Sequence, residues 1–314
     1  MTEYLPEGFL FGTAENDLHL KSLQTLLECK QTRRILEAPC VVCDSEHNLL
    51  VEFPDNPNVR GLIPREEGAI GIAEGTTKDI ALISRVNKPV CFVVKDIYNK
   101  GENTIALLSR KEAQLRARQE YISKLRVGDV IPAKVTHLEQ FGCFVDIGCG
   151  IPSLIPIDLI SVSRITHPSD RFYVGQEIRA VVKSIDDERI CLTHKELLGS
   201  WEENASLFRQ GETVTGIVRS IEDYGIFVEL APNLAGLAEP RGDISVNDHA
   251  SVYIKSIIPE KMKIKLIIVN TSDKTYHNNE LNYFISSGHI DRWTYSTNSS
   301  AKHIETVFDE GYEK

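Results

Sequence analysis

The chain has 314 residues, of which 42% are apolar and 25% are charged, and its net charge at pH 7 is −10. This length predicts two or three domains, and the composition excludes a collagen-like or largely disordered chain. No apolar run approaches the roughly 20 residues that a transmembrane helix needs, and the start of the chain lacks the layout of a secretory signal. We therefore expect a cytoplasmic protein with no membrane partner.

The acidity is concentrated at the two ends of the chain and in one short internal segment. Residues 1–29, 196–208 and 270–314 each carry a net charge of −3 or −4, so the bodies between them are nearly neutral. An acidic chain of this kind can still present local basic faces to a nucleic acid.

Residues 1–29 form an N-terminal extension with one predicted helix. Asn16 or Asp17 is the expected N-cap of this helix. Five leucines at helical spacing are expected to face a core, namely Leu18, Leu20, Leu23, Leu26 and Leu27.

The cysteines indicate reduced thiols. There are seven of them, an odd number spread over a long chain, which argues against a disulfide framework. Cys40 and Cys43 form a CxxC pair, but a zinc site needs a second ligand pair at matching spacing and none is obvious. Buried small hydrophobic side chains are the favoured interpretation, so the sequence predicts neither a metal site nor another cofactor.

Residues 126–195 and 209–269 are two copies of one internal repeat. The stretch from Gly128 to Ile147 aligns without a gap to the stretch from Gly211 to Leu230. Farther along, VGQEIRAVVKSI aligns to VNDHASVYIKSI. Residues 30–110 hold a further, decayed copy, in which VNKPVCFVVKDI is the matching stretch. The three copies are numbered below in chain order, so residues 30–110 are the first copy. One lysine is kept in all three copies, as Lys95, Lys183 and Lys255.

The alternation of apolar and polar residues predicts five short strands in each copy. In the fourth strand of the second copy, alternate side chains are expected to face the core, namely Ile178, Ala180 and Val182. The side chains between them are expected to face solvent, namely Arg179, Val181 and Lys183. A five-stranded antiparallel unit of about 70 residues must close to hide its edges, and a small Greek-key barrel does so.

The two better-kept copies resemble the S-one (S1) RNA-binding domain, which is an OB-fold barrel. The second copy carries FGCFVDIG, SLIP, VGQEI and RICLTHK, and YGIFVELAPNLAGLAE is the most specific stretch of the third copy. The whole chain is similar to short S1-like ribosomal proteins of the clostridial kind. The resemblance implies a mainly β fold of three tandem five-stranded OB-fold barrels, the first of them degenerate, and binding of single-stranded RNA in translation.

Single-stranded RNA is held by aromatic rings on which bases stack and by cations that follow the phosphates. Val145 and Ile147 are expected in the core, which places Phe144 and Asp146 on the solvent face. Phe141 then needs a bulge or bend at the following glycine to reach the same side.

The third copy repeats this arrangement, so the family's base-stacking positions correspond to Phe141, Phe144, Tyr224 and Phe227. Rings in strands are more commonly core residues, and the resemblance is what favours stacking here. The candidate phosphate contacts are Lys183, Arg189, Lys255, Lys263 and Lys265, each of which has a solvated surface charge as its alternative.

The sequence departs from the family pattern at two places. The histidine that many members carry after the third strand is replaced by Pro64, Pro156 and Glu239. In the first copy, His47 and Leu50 stand at the ring positions. We therefore expect the first barrel to dock protein, with the small ribosomal subunit as a candidate, or to pack against its neighbours rather than stack RNA.

Two linkers separate the three barrels. Residues 111–125 are rich in helix formers and predict a stiff helical connector. Residues 196–208 form a shorter acidic link, in which Trp201 is expected to be a packing residue rather than a base platform.

The last segment, residues 270–314, is a polar tail that contains aromatic residues. Its pattern predicts a hairpin around Ser286 to Gly288, followed by a short helix capped near Ser299. That helix is expected to carry Ile304, Val307 and Phe308, which makes the tail a small α+β element.

The leading interpretation is a non-enzymatic protein that binds single-stranded RNA or mRNA in translation. One alternative is an RNA-binding accessory factor in transcription or RNA decay. Another is an RNA-processing enzyme with OB-fold accessory domains, although the sequence shows no P-loop, paired-carboxylate nuclease motif or zinc quartet. A protein-interaction adaptor whose barrels have lost RNA binding is a fourth interpretation, and the rings of the second and third copies argue against it.

Overall fold

A computed structural model describes residues 4–100, 103–186, 189–272 and 281–308. These residues form three closed five-stranded barrels, which confirms the predicted fold class. The chain divides into two compact units, the first comprising Met1–Leu125, Pro132–Lys134 and Asp146–Pro152 and the second the remaining residues. Within the described residues, the helices are too short to cross a membrane.

The first barrel has the strand order β1-β2-β3-β5-β4. Its strands are β1 (Ile35–Cys43), β2 (Leu49–Glu52), β3 (Val59–Ile63), β4 (Lys88–Lys100) and β5 (Asn103–Ser109). All neighbouring strands are antiparallel except β3 and β5, which are parallel and close the barrel. Its helices are α1 (Ala14–Leu20), α2 (Leu23–Thr32), α3 (Ile80–Ile83) and α4 (Arg110–Glu120).

The second and third barrels repeat this topology. The second contains β6 (Val130–Glu139), β7 (Gly142–Asp146), β8 (Pro152–Pro156), β9 (Glu177–Asp186) and β10 (Arg189–Thr193). The third contains β11 (Thr213–Glu222), β12 (Gly225–Ala231), β13 (Leu234–Ala238), β14 (His249–Ile258) and β15 (Lys263–Ser272). Helix α5 (Trp201–Ala205) lies between them, and Trp201 is buried in the apolar core, as a packing residue should be.

The N-terminal extension forms two short helices where the sequence predicts one. Thr13, rather than Asn16 or Asp17, caps α1, because its side chain accepts the backbone N–H of Asn16. Ser22 interrupts the leucine stripe by capping α2 with a reciprocal capping box. The break between the two helices changes which leucines face the core. Leu20 and Leu26 are buried, whereas the other three are exposed: Leu18, Leu23 and Leu27.

The predicted helical connector is confirmed as α4, followed by a short 3-10 turn at Ile122–Lys124. It is not a free spacer, however. Ala113 and Ala117 are fully buried, and α4 packs against β4 of the first barrel. The helix therefore belongs to the first compact unit.

The predicted helix of the tail is wrong. Residues Glu305–Val307 form strand β17, which pairs antiparallel with β16 (Arg292–Thr294). The hairpin predicted around Ser286 to Gly288 is also wrong, because the two strands that pair lie farther along the chain. Residues 273–280 and 309–314 of the predicted tail lie outside the described residues.

Two residues of the second barrel that were expected on the solvent face are buried. Val181 has no exposed surface and lies in the apolar cluster that contains Trp201 and Phe308. Asp146 is buried in the first unit, where it accepts N–H groups from Glu7 at 2.7 Å and Gly148 at 2.8 Å. Burial, together with the neighbouring charge of Glu7, raises the pKa of Asp146 to about 7. Strand parity predicts which way a side chain points but not whether another segment covers it.

Candidate nucleic-acid interface

Two aromatic rings form an exposed pair on the second barrel. The ring centroids of Phe141 and Phe144 are 5.9 Å apart, and the ring planes are perpendicular. Phe141 is 57% exposed, whereas Phe144 is half-buried. The neighbouring Val145 is fully buried, so the predicted separation of ring and core positions is correct here.

The third barrel carries the same pair at the repeated positions. Tyr224 and Phe227 have centroids 6.2 Å apart, with ring planes at 88°. Tyr224 is 68% exposed, Phe227 is half-buried, and Val228 is fully buried. Each pair therefore offers one freely accessible ring braced edge-on by a second ring, a geometry that aromatic pairs favour.

The outer ring of each pair is aimed by a hairpin turn, not by a bulge at the glycine. Tyr224 lies in the two-residue turn between β11 and β12, where Glu222 pairs with Gly225 in regular register. Phe141 lies in the matching turn of the second barrel. The glycine serves another purpose, because a Cβ at Gly142 would lie 2.6 Å from the carbonyl oxygen of Ile155.

In the third barrel, a cation lies in the same cross-strand row of outward-facing residues as Phe227. Phe227 pairs with Leu237 across β12 and β13, and Leu237 pairs with Lys265 across β13 and β15. Lys263, two residues before Lys265, has the same outward parity and is also exposed. The register thus places two of the predicted phosphate contacts on the sheet face that carries Phe227.

The equivalent row of the second barrel lacks one of these charges. Leu154 pairs with Cys191, so a cysteine stands where the third barrel has Lys265. Burial raises the pKa of the Cys191 thiol above its ordinary value, so this position is neutral at pH 7. Arg189, two residues earlier, is exposed and occupies the position of Lys263.

The two remaining cations, Lys183 and Lys255, lie at repeated β-bulges. The pairing of β9 with β10 skips Lys183, and the pairing of β14 with β15 skips Lys255. Lys183 is half-buried, and its ammonium lies 5.5 Å from the ring centroid of Phe308. Lys255 is exposed to solvent.

Sequence reasoning missed a third ring beside the pair of the second barrel. The exposed His137 on β6 has its centroid 6.4 Å from that of Phe144, with an angle of 31° between the planes. Its Nε2 lies 2.7 Å from a carboxylate oxygen of Glu139. The repeat aligns His137 with Ser220 of the third barrel. Ser220 pairs directly with Phe227 there, so this position lies beside the inner ring in both barrels.

The first barrel has no pair of rings at the matching positions, which hold His47 and Leu50. Leu50 on β2 is half-buried, and the His47 ring lies 4.0 Å from the carboxylate of Asp79. The CxxC pair lies on β1, where Cys40 is buried and burial raises the pKa of its thiol to about 11.

Replacing a core valine should act on stability, whereas replacing a ring should act on binding. Val145→Ala or Val228→Ala removes fully buried methyl groups, so each should lower the free energy of unfolding by about 1–3 kcal/mol. Urea unfolding followed by circular dichroism measures this change. An RNA affinity that falls while stability stays unchanged would contradict the assignment of these valines to the core.

The comparison with protein families identifies the barrel that carries Phe141 and Phe144. Residues 124–195 match the family described as the S1 RNA binding domain. The chain is S1-like, with repeated S1-type barrels. This confirms the resemblance on which the expected positions of the rings rest.

Curated relatives extend the likeness beyond the matched barrel. The chain is 37% identical over 185 residues to the small ribosomal subunit protein bS1 homolog of Bacillus subtilis, covering 56% of this chain and 47% of that protein. It is 31% identical over 238 residues to the small ribosomal subunit protein bS1 of Leuconostoc lactis, covering 70% of this chain and 53% of that protein. The chain thus spans about half the length of the curated relatives it matches.

Proposed function

We propose that this S1-like chain is a non-enzymatic protein that binds single-stranded RNA through its second and third barrels and acts in translation. The observation that carries the proposal is the recurrence of an exposed, edge-braced ring pair at one place in two barrels. Base stacking on such rings tolerates any sequence and contributes about 1–3 kcal/mol per base. The chemistry therefore suits a protein that holds many different mRNAs.

The phosphate contacts of this interface are Arg189, Lys263 and Lys265. All three are exposed and share an outward parity on the fifth strand of their barrels. Lys183 is a weaker candidate, because its ammonium lies against Phe308 instead of open solvent. The third barrel, with two cations on its fifth strand, is expected to contribute more electrostatic affinity than the second.

Titration of the full chain with short and long oligouridines tests this interface. The link between the second and third barrels is short, so an RNA strand bound to one of them meets the other at high effective concentration. A long oligomer should therefore bind at least about 100-fold more tightly than one that fits a single barrel. Each phosphate contributes about −0.7 to the slope of log affinity against log salt. Roughly three to six contacts predict a slope of about −2 to −4. Affinity that does not depend on length would contradict a shared strand.

The first barrel should contribute little to RNA affinity. His47→Ala combined with Leu50→Ala, in the full chain, is expected to change oligouridine affinity less than twofold, because neither side chain offers a ring pair to a base. Fluorescence anisotropy measures the change. A loss comparable to that of Phe144→Ala would show that the first barrel also binds the strand.

The role in translation rests on the likeness to the small ribosomal subunit proteins of B. subtilis and L. lactis. We propose that the first barrel provides the contact with the small subunit, since Ile80 and Ile83 of α3 present exposed apolar side chains there. A photo-reactive residue at Ile80 should crosslink to small-subunit proteins.

Sequencing of RNA crosslinked to the chain in cells should recover mRNA leaders, whereas enrichment of decay intermediates would favour the accessory-factor alternative.

A further inference from the structure

The outer face of β14 and β15 in the third barrel exposes a cluster of apolar side chains. Tyr253 and Ile267 lie opposite each other in the ladder, and they are 38% and 43% exposed. Val269, at a bulge in the same ladder, is 57% exposed. Lys255 flanks these residues on β14 and is also exposed, and Lys265 of the RNA interface borders them on β15. We call Tyr253, Ile267, Val269 and Lys255 the β14–β15 face.

The same face of the second barrel is covered by polypeptide. The repeat places Val181 at the position of Tyr253, and Thr193 pairs with Val181 as Ile267 pairs with Tyr253. Both Val181 and Thr193 are fully buried. Val181 packs in a cluster with side chains from the segment that follows β10 and from the tail, and Thr193 donates a hydrogen bond to the buried Glu196 at 2.6 Å.

The first barrel is also covered at this face, and there the cover is a helix. Val93 stands at the position of Val181 and is fully buried. Helix α4, which follows β5 directly, packs against β4 and buries Ala113 and Ala117. A short amphipathic segment with small apolar residues is therefore one natural occupant of this face of the repeat.

The lysine kept in all three copies contacts the cover where a cover is present. Lys95 lies between two carboxylates, 3.8 Å from that of Glu112 on α4 and 3.6 Å from that of Glu67. Lys183 lies over the ring of Phe308 in the tail. Both are bulge residues, as Lys255 is. The repeat thus assigns to this lysine a contact with the covering segment, and Lys255 retains the charge on an uncovered face.

The part of the tail that the structure describes, residues 281–308, contacts other segments. The hydroxyl of Tyr283 lies 3.1 Å from Nε2 of His194, and the backbone N–H of Phe284 donates to the carbonyl of Leu197 at 2.9 Å. Both contacts are with the segment that ends the second barrel. In the part of the chain that the structure describes, the β14–β15 face is left open.

We propose that the β14–β15 face docks an amphipathic helix of a partner protein, which packs small apolar side chains on Tyr253, Ile267 and Val269 and pairs a carboxylate with Lys255. The carboxylate follows from the Lys95–Glu112 pair of the covered first barrel. A hollow of about 180 Å³ beside Ile267 has room for one side chain of the helix but is smaller than typical ligand pockets. It is lined also by Glu239, Pro240, Arg241 and Ile268, so an apolar or basic side chain fits it better than an acidic one. Two of these three apolar side chains are aliphatic and offer no stacking surface, and the same face of the other two barrels is covered by polypeptide, which favours protein over RNA at this face.

Photo-crosslinking in cells tests the proposal with the full chain. The photo-reactive amino acid p-benzoylphenylalanine replaces Tyr253, and the crosslinked products are mapped by mass spectrometry after digestion with RNase. We expect one protein segment with apolar residues at helical spacing and at least one Asp or Glu. A synthetic peptide of that segment should then bind the purified chain, and Lys255→Glu should weaken this binding at least about tenfold, because like charges facing each other oppose docking.

Two variants separate docking from RNA binding and from non-specific adhesion. Phe227→Ala should leave peptide affinity unchanged, so the proposed docking can hold even if the RNA interface is wrong. Val246→Glu changes an exposed apolar residue elsewhere on the same barrel and should also have no effect. The proposal would be overturned by crosslinked products that disappear with RNase, that form with a second copy of this chain or that scatter over many proteins, and also by the absence of products. It would equally be overturned by a peptide that binds the Lys255→Glu variant as well as the wild type.

Discussion

Removing one ring from each exposed pair, as Phe144→Ala together with Phe227→Ala, should weaken binding of a long oligouridine by about 2–6 kcal/mol. Each ring is expected to contribute about 1–3 kcal/mol through base stacking, and loss of the half-buried ring also removes the brace of its exposed partner. The fold should survive, because the adjacent Val145 and Val228 fill the core. Fluorescence anisotropy for affinity and circular dichroism for folding give the two measurements.

Tyr173 provides a matched control for these substitutions. It is 52% exposed on the second barrel but belongs to neither ring pair, so Tyr173→Ala should leave affinity within about twofold of the wild type. An equal loss from Tyr173→Ala and from the ring variants would show that any exposed ring matters. A double variant that unfolds, with no loss of affinity in the folded single variants, would show that the pairs belong to the core.

The third ring of the second barrel can be tested in the same titration. His137→Ala removes the ring beside Phe144, and a weaker affinity with unchanged stability would add this residue to the stacking surface. Ser220 occupies the equivalent place in the third barrel. Ser220→His should strengthen binding if a ring at this place stacks on a base.

The barrels could be predicted from sequence because their determinants are local and repeated. Alternating apolar residues specify strands, and three copies of one pattern restrict the possible topologies to one repeated unit. The ring positions follow from the same repeat. Alternation along the strand predicts a bulge or bend at the glycine, and it does not reveal that Phe141 and Tyr224 lie in hairpin turns.

Features that depend on distant segments could not be predicted in this way. The strand at Glu305–Val307 forms because Arg292–Thr294 lies beside it, and no local signal marks that partner. Val181 has the parity of a solvent-facing residue and is buried because another segment covers it. The leucine stripe of the N-terminal extension failed for a local reason, because the capping box at Ser22 starts a second helix within it.

The burial of Asp146 and Glu229, which stand at one repeated position, is another feature that could not be predicted from the sequence. The gapless alignment makes them equivalent, and parity places both on the outside of their barrels. Both are nevertheless buried, Asp146 among N–H groups of the first unit and Glu229 between two guanidinium groups. The repeat therefore places a carboxylate where neighbouring segments meet the barrel, and only the assembled structure reveals its partners.

Glu229→Ala should lower the free energy of unfolding by about 3–5 kcal/mol, since it removes the carboxylate bonded to the buried guanidinium of Arg171 and leaves that of Arg219 with Asp170 at 3.6 Å. Glu229 bonds Arg171, from the loop between β8 and β9, and accepts from Nε of Arg219 at 2.8 Å. The side chains of all three residues are at most 7% exposed. The exposed pair of Arg241 and Asp243 is the control, and Asp243→Ala should cost at most about 1 kcal/mol.

Because Arg171 belongs to the second barrel and Glu229 to the third, the same substitution should also change how the two barrels unfold. With the shared carboxylate present, urea unfolding monitored by the fluorescence of Trp201 and Trp293 and by circular dichroism should give coincident transitions for this pair of barrels. Without it, the third barrel should unfold at lower urea concentration than the second, and the two probes should separate. A variant that loses less than 1 kcal/mol would mean that water reaches the guanidinium groups and replaces the carboxylate, so the bridge would not be the contact that couples the barrels.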